Sequence, residues 1–178
     1  TNLFNFMDGI DGLAGTQTVI AGTSWVLIFL AENQQSLAYL AGLIAAASLG
    51  FLFLNLPPAR IFMGDVGSMF LGFTLAVLPV LGYHQTQNPR LLLTGILFVA
   101  PFVFDAAFTI LRRALRHENI FRAHRSHLYQ RLVQCGLSHA QVTGLYTGLV
   151  LISALAGVVY YSSPEDGGVI SLLVVAAM

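Results

Sequence analysis

The sequence predicts an all-α integral membrane protein, a polytopic helix bundle with five full spans and a truncated sixth. Three observations carry this. Hydrophobic residues make up 56% of the chain, charged residues only 9%, and mean hydropathy is +0.76. Soluble domains carry roughly 25% charged residues. Apolar runs recur at 13–31, 37–55, 69–84, 91–111 and 143–162, and another begins at 169. A hydrocarbon core of about 30 Å needs roughly 20 helical residues, and lipid cannot satisfy free backbone polar groups, so the spans must be helices. The arginines are distributed unevenly between the loops.

The run 69–84 is short and is expected to borrow Gly67 and Ser68. Pro57-Pro58 ends the preceding helix and stiffens the entry to the next. The segment 112–142 is the only long polar stretch; it reads as an amphipathic or irregular cytoplasmic loop, with a helix near 138–142 leading into the next span. If each span crosses once, Arg60, Arg112, Arg113, Arg116, Arg122, Arg125 and Arg131 share one side and only Arg90 lies opposite; there is no lysine. The positive-inside rule makes the arginine-rich side cytoplasmic. The same parity places Asp8, Asp11, Asp65, His124 and His127 there. The opposite loops, 31–36, 84–90 and 162–168, carry no comparable motif. Trp25, Tyr83, Tyr160 and Tyr161 read as interfacial anchors, and His84, His117 and His139 as exposed loop residues.

A formal net charge of zero argues against a nucleic-acid partner, and a single cysteine, Cys135, excludes an internal disulfide framework. The chain starts at Thr1 inside a motif and ends at Met178 in an apolar run, so it reads as part of something longer.

The scarce acids gather in glycine-rich clusters. In Asp8-Gly9-Ile10-Asp11-Gly12, two acids three apart share a face if the segment is helical, and glycine admits close approach of backbone to a ligand. The other reading is a helix start, with acids near the positive end of the dipole. In Phe62-Met63-Gly64-Asp65-Val66-Gly67-Ser68, Asp65 stands at a helix mouth. A hard cation such as Mg²⁺ takes one or two carboxylates plus phosphate oxygens and water. Capping of the helix by Asp65 or Ser68 is the alternative. His124-Arg125-Ser126-His127 and Arg131 suit a diphosphate, a metal or a proton shuttle, and equally a basic loop against anionic headgroups. Asp105 lies within a span, where an ionised acid costs of order 2.5–3.5 kcal/mol and commonly faces a polar cavity; pairing with Arg112 or Arg113 is the alternative.

Together, Asn2-Leu3-Phe4-Asn5-Phe6-Met7-Asp8-Gly9-Ile10-Asp11-Gly12-Leu13 and the Phe62–Ser68 motif resemble the polyprenyl-phosphate N-acetylhexosamine-1-phosphate transferases, over nearly the whole chain. The resemblance is to the C-terminal part of a single transmembrane transferase domain, 1–178, whose N-terminal half is absent. It implies a bacterial inner-membrane enzyme with a cytoplasmic active site, a UDP-N-acetylhexosamine donor, a polyprenyl phosphate acceptor and Mg²⁺, with Mn²⁺ as a substitute. It assigns the metal to Asp65, places Phe62 on the uracil, and puts Asn55, Gly9, Ile10 and Asp11 in the wall of the uridine pocket. Asp8, Asn2 and Asn5 would line the catalytic cleft, and His127 matches the histidine of the late loop.

The late loop reads His127-Leu128-Tyr129-Gln130-Arg131, where many members read H-L-H-H-R. This resembles the subgroup that initiates O-antigen and related surface polysaccharides. The alternative within the family is the peptidoglycan enzyme, phospho-N-acetylmuramoyl-pentapeptide transferase. A transporter using Asp105 is the alternative from another class, and the clustering of acids at loop mouths argues against it. A homodimer is left open as the assembly.

Overall fold

The computed structural model describes residues 1–119 and 125–163. Among them are eight helices and no strand: α1 (Asn2–Phe6), α2 (Leu13–Ala31), α3 (Gln35–Asn55), α4 (Gly64–Thr86), α5 (Arg90–Phe98), α6 (Ala100–Leu115), α7 (Leu128–Gln134) and α8 (His139–Ser162). Four of them, α2, α3, α4 and α8, are long and apolar enough to cross a membrane. The expected sixth run, from 169, and His124 lie outside the described residues.

The helices alternate between two ends. At one end the start of α2, the end of α3 and the starts of α4 and α8 meet around a shared cleft. At the other, Asn88 beyond α4 donates to Glu32 beyond α2 at 2.7 Å, and Tyr161 near the end of α8 lies beside Glu32. Asp8, Asp11 and Asp65 therefore share one end, as the span parity predicts, with Arg90 at the opposite end.

Helices in lipid gain little from mutual apolar burial and associate through close packing of small residues. The α2–α3 contact shows this: Ala21, Ala41, Ala45 and Ser48 are buried, and Gly22 lies directly against Ala41 and Ala45. Trp25 is 1% exposed, stacked on Phe29 at 4.8 Å and edge-on to Phe98 at 5.1 Å. It is a core residue and not an interfacial anchor, because the α2 face that carries it turns inward.

The run 91–111 is not one straight span. It is broken at Val99 into α5 and α6, which meet at 73°. Pro101, near the start of α6, explains the break: it has no N–H to offer the carbonyl of Leu97. Two neighbours replace the lost bonds. Ser153 of α8 donates to Leu97 O, and Gln17 of α2 donates to Phe98 O at 2.8 Å. A bend at membrane depth persists only when freed backbone groups find such partners.

The segment 112–142 is more helical than expected. α6 runs on to Leu115, and α7 occupies Leu128–Gln134. The helix anticipated near 138–142 is the start of α8, where Ser138 accepts from Gln141 N and Gln141 reaches back to Ser138 N, a reciprocal cap.

Candidate active site

Asp8 and Asp11 do not lie on a helix. They belong to the loop between α1 and α2, which ends at Gly12 with φ +79°, a left-handed conformation that suits glycine. The turn fans the two acids apart and gives them different surroundings.

Asp11 is fully engaged by protein. Its Oδ2 accepts from Ala59 N at 3.1 Å, its Oδ1 lies 3.2 Å from His139 Nδ1, and its carbonyl accepts from Thr143 at 2.7 Å. Asn55, buried at the end of α3, joins the same two loops: it accepts from Gly12 N at 3.0 Å and donates to Ile61 O at 2.9 Å. These two side chains staple the first loop to the Leu56–Met63 loop and fix the wall of a cleft. No hydrogen-bond donor among the described residues reaches the carboxylate of Asp8. Burial, with a smaller contribution from neighbouring Asp65, pushes its pKa from 3.8 up to about 6.

The cleft has a volume of about 350 Å³ and is lined by Asn5, Asp8, Gly9, Ile10, Asp11, Asn55, Phe62, Met63, Gly64, Asp65 and His139. Phe62 lines it and is 77% exposed. Asp65 sits in the first turn of α4. Neither Asp65 nor Ser68 caps that helix; Met63 occupies the cap position. Ser68 instead lies one turn in and donates to Asn5 Oδ1 at 2.6 Å, tying α4 to α1.

The late loop approaches from the other side. His127 is buried beside Phe6, their rings 5.9 Å apart, and its Nδ1 is 3.1 Å from Asp105 Oδ1. Asp105 takes its hydrogen bonds from this loop, from Tyr146 and from Thr109 of its own helix, and not from an arginine; Arg112 donates to Ser126 O, and Arg113 to Asn119 O. Tyr129, fully buried, donates to Phe6 O at 2.8 Å; burial raises its hydroxyl well above the ordinary range, so it remains a donor. Arg125 lines a hollow that shares Gly9, Ile10 and His139 with the main cleft. Arg131 borders a separate apolar groove of about 410 Å³ in the crook of α6, α7 and α8. Asn2 is exposed on α1 and does not line the cleft.

Sequence reasoning missed His139, read as an exposed loop residue but held by Asp11 at the cleft. It also missed Tyr129 and Ser68, whose roles depend on partners more than sixty residues away. The available signal for His139 was its position right after the Ser138 cap, at the same end as the motifs.

Residues 1–83 match the model of glycosyl transferase family 4. The chain is 37% identical to the probable undecaprenyl-phosphate N-acetylglucosaminyl 1-phosphate transferase of Bacillus subtilis, covering 78% of this chain and 39% of that protein. It is 32% identical to the decaprenyl-phosphate N-acetylglucosaminephosphotransferase of Mycobacterium tuberculosis, over 96% of this chain and 47% of the relative. It is 39% identical to the phospho-N-acetylmuramoyl-pentapeptide-transferase of Symbiobacterium thermophilum, over 86% and 44% respectively. The chain spans less than half the length of these curated relatives. It belongs to glycosyl transferase family 4, among the polyprenyl-phosphate N-acetylhexosamine-1-phosphate transferases.

Proposed function

We propose that the chain carries the nucleotide- and metal-handling side of an enzyme that transfers N-acetylhexosamine 1-phosphate from a UDP-sugar to polyprenyl phosphate. The observation that carries this reading is the convergence of Asp8, Asp65 and exposed Phe62 on one cleft whose wall is stapled by Asn55 and Asp11. An oxygen of the lipid phosphate attacks the β-phosphorus, the bond from that phosphorus to the bridging oxygen breaks, and UMP leaves. Catalysis of this kind rests on positioning and on electrostatic stabilisation.

The donor set fits Mg²⁺. Among the described residues no group of three or more His, Cys, Asp or Glu could enclose a metal. Mg²⁺ needs no such cage: it takes one or two carboxylates and completes its shell with phosphate oxygens and water. Asp65 and Asp8 are the carboxylates that would hold it, and its charge would offset the diphosphate. Phe62 stacks on uracil, and Gly9, Ile10, Asp11 and Asn55 form the pocket wall around it. His124, Arg125 and His127 serve the diphosphate and sugar; Arg131, on the separate groove, is not assigned to them. The late-loop sequence supports a role in initiating cell-envelope polysaccharide, and the arginine bias supports a cleft that faces the cytoplasm from the bacterial plasma membrane.

Phe62→Ala tests the nucleotide reading. Stacking on a base is worth about 1–3 kcal/mol, so UMP affinity measured by calorimetry on the complete protein is expected to fall about tenfold or more. Unchanged affinity would remove Phe62 from the site. Sidedness is tested in a Cys135→Ala background. A cysteine at exposed position Phe62 should react only with reagent applied from the cytoplasm, and one at exposed Gln85 only from outside. The reverse pattern would invert the topology.

Asp8 predicts a pH effect. Its folded-state pKa of about 6 lies above the ordinary 3.8, so the folded protein holds this proton more tightly than the unfolded chain. The stability linked to Asp8 is fully present below about pH 4 and is lost as pH rises through about 6. In metal-free protein, Asp8→Asn should therefore raise the melting temperature at pH 7.5, with the gain shrinking toward pH 5. A gain that is independent of pH would show that Asp8 is not the group responsible.

A further inference from the structure

We propose that Asp105 is a positioning residue for the late loop, setting the His127 ring and the start of α7 against the loop that bears Asp8. The carboxylate is 1% exposed and collects donors from three elements. Oδ1 takes Leu128 N at 2.9 Å and His127 Nδ1 at 3.1 Å, with Thr109 of its own helix at 3.3 Å. Oδ2 takes Tyr129 N at 3.1 Å and Tyr146 Oη of α8 at 2.5 Å. Leu128 and Tyr129 open α7, where backbone N–H groups have no partner within the helix.

An acceptor-only carboxylate matches this set. Facing Asp105, Nδ1 of His127 must carry a proton, so one acid fixes both the ring's orientation and the proton on that nitrogen. The effect continues outward. Tyr129, whose N–H is held by Asp105, donates its hydroxyl to Phe6 O, and its ring closes over Gly9, the residue after Asp8. The pocket wall made by Asn55 and Asp11 depends on other bonds. Loss of Asp105 should thus disturb the late loop while sparing nucleotide binding.

The inference rests on the phosphosugar-transfer reading for its kinetic arm only. Asp105→Asn keeps the shape but leaves one acceptor oxygen and turns an NH₂ toward other donors. In the complete protein, kcat should fall about 100-fold, the scale of a small misplacement of reacting groups, with UMP affinity within about threefold. Tyr146→Phe removes a single donor without changing shape and should lower kcat by a smaller factor than Asp105→Asn, with UMP affinity unchanged. The second arm needs no activity. Long-range ¹H–¹⁵N spectra of histidine-labelled protein should show His127 protonated at Nδ1 in wild type and in Tyr146→Phe, and altered in Asp105→Asn.

Wild-type kcat in both variants, or a His127 spectrum indifferent to Asp105→Asn, would overturn the proposal. So would a loss of UMP binding equal to the loss of kcat, which would make Asp105 a general fold residue. If the wild-type protein transfers no sugar phosphate while the His127 signature responds as stated, the functional reading fails and the positioning by Asp105 stands.

Discussion

Asp65→Asn in the complete protein is expected to lower divalent-cation-dependent transfer by about 10²–10³-fold or more, the scale of losing a principal electrostatic contact to the reacting group. The substitution preserves shape and removes the charge a hard cation requires. It should not harm folding, because Asp65 lies in the exposed first turn of α4 and caps nothing. It should also ease the ionisation of Asp8, whose raised pKa owes part of its shift to Asp65. Activity within a few-fold of wild type, at saturating cation, would exclude Asp65 as the essential ligand.

Gly9→Ala is expected to be nearly as damaging, for a packing reason. A Cβ at Gly9 would lie 2.0 Å from the Tyr129 hydroxyl and 3.0 Å from its ring. Tyr129 cannot swing aside cheaply: it is fully buried, and its hydroxyl is bonded to Phe6 O and Gln130. Overpacking of this kind costs about 1–3 kcal/mol, and the lost hydrogen bonds add about 1 kcal/mol each. The loop that must move carries Asp8, so activity should drop about 100-fold as well. Tyr129→Phe in the same chain removes the closest atom and should recover part of the stability. Strict additivity of the two substitutions, measured by thermal unfolding, would show that the two residues do not meet.

What the sequence made legible was set by long-period features. Apolar runs located α2, α3, α4 and α8, and the arginine bias put Asp8, Asp11 and Asp65 at one end, where the structure brings them together. The break at Val99 was not legible from hydropathy, which is blind to direction; Pro101 was its only local mark. Trp25 shows the same limit: its composition suits an interface, but only packing tells which face of α2 turns inward. The motif residues separated into roles that spacing could not distinguish. Asp8 and Asp11 look alike in sequence, yet Asp11 is held by Ala59 and His139 while Asp8 faces the cleft. Asp105 could be seen to need a partner, and the nearby arginines were the obvious candidates. Its actual partners lie on α7 and α8, twenty or more residues on, and only the fold brings them near.

Attack on the β-phosphorus of a UDP-sugar, directed by this cleft, fixes where that phosphorus ends up. The most direct measurement follows a β-³²P-labelled UDP-N-acetylhexosamine incubated with the complete protein, polyprenyl phosphate and Mg²⁺. The label is expected to pass into a lipid-linked diphosphate sugar, and the nucleotide product to be unlabelled UMP. Label remaining on the nucleotide as UDP, with sugar alone passing to the lipid, would contradict this.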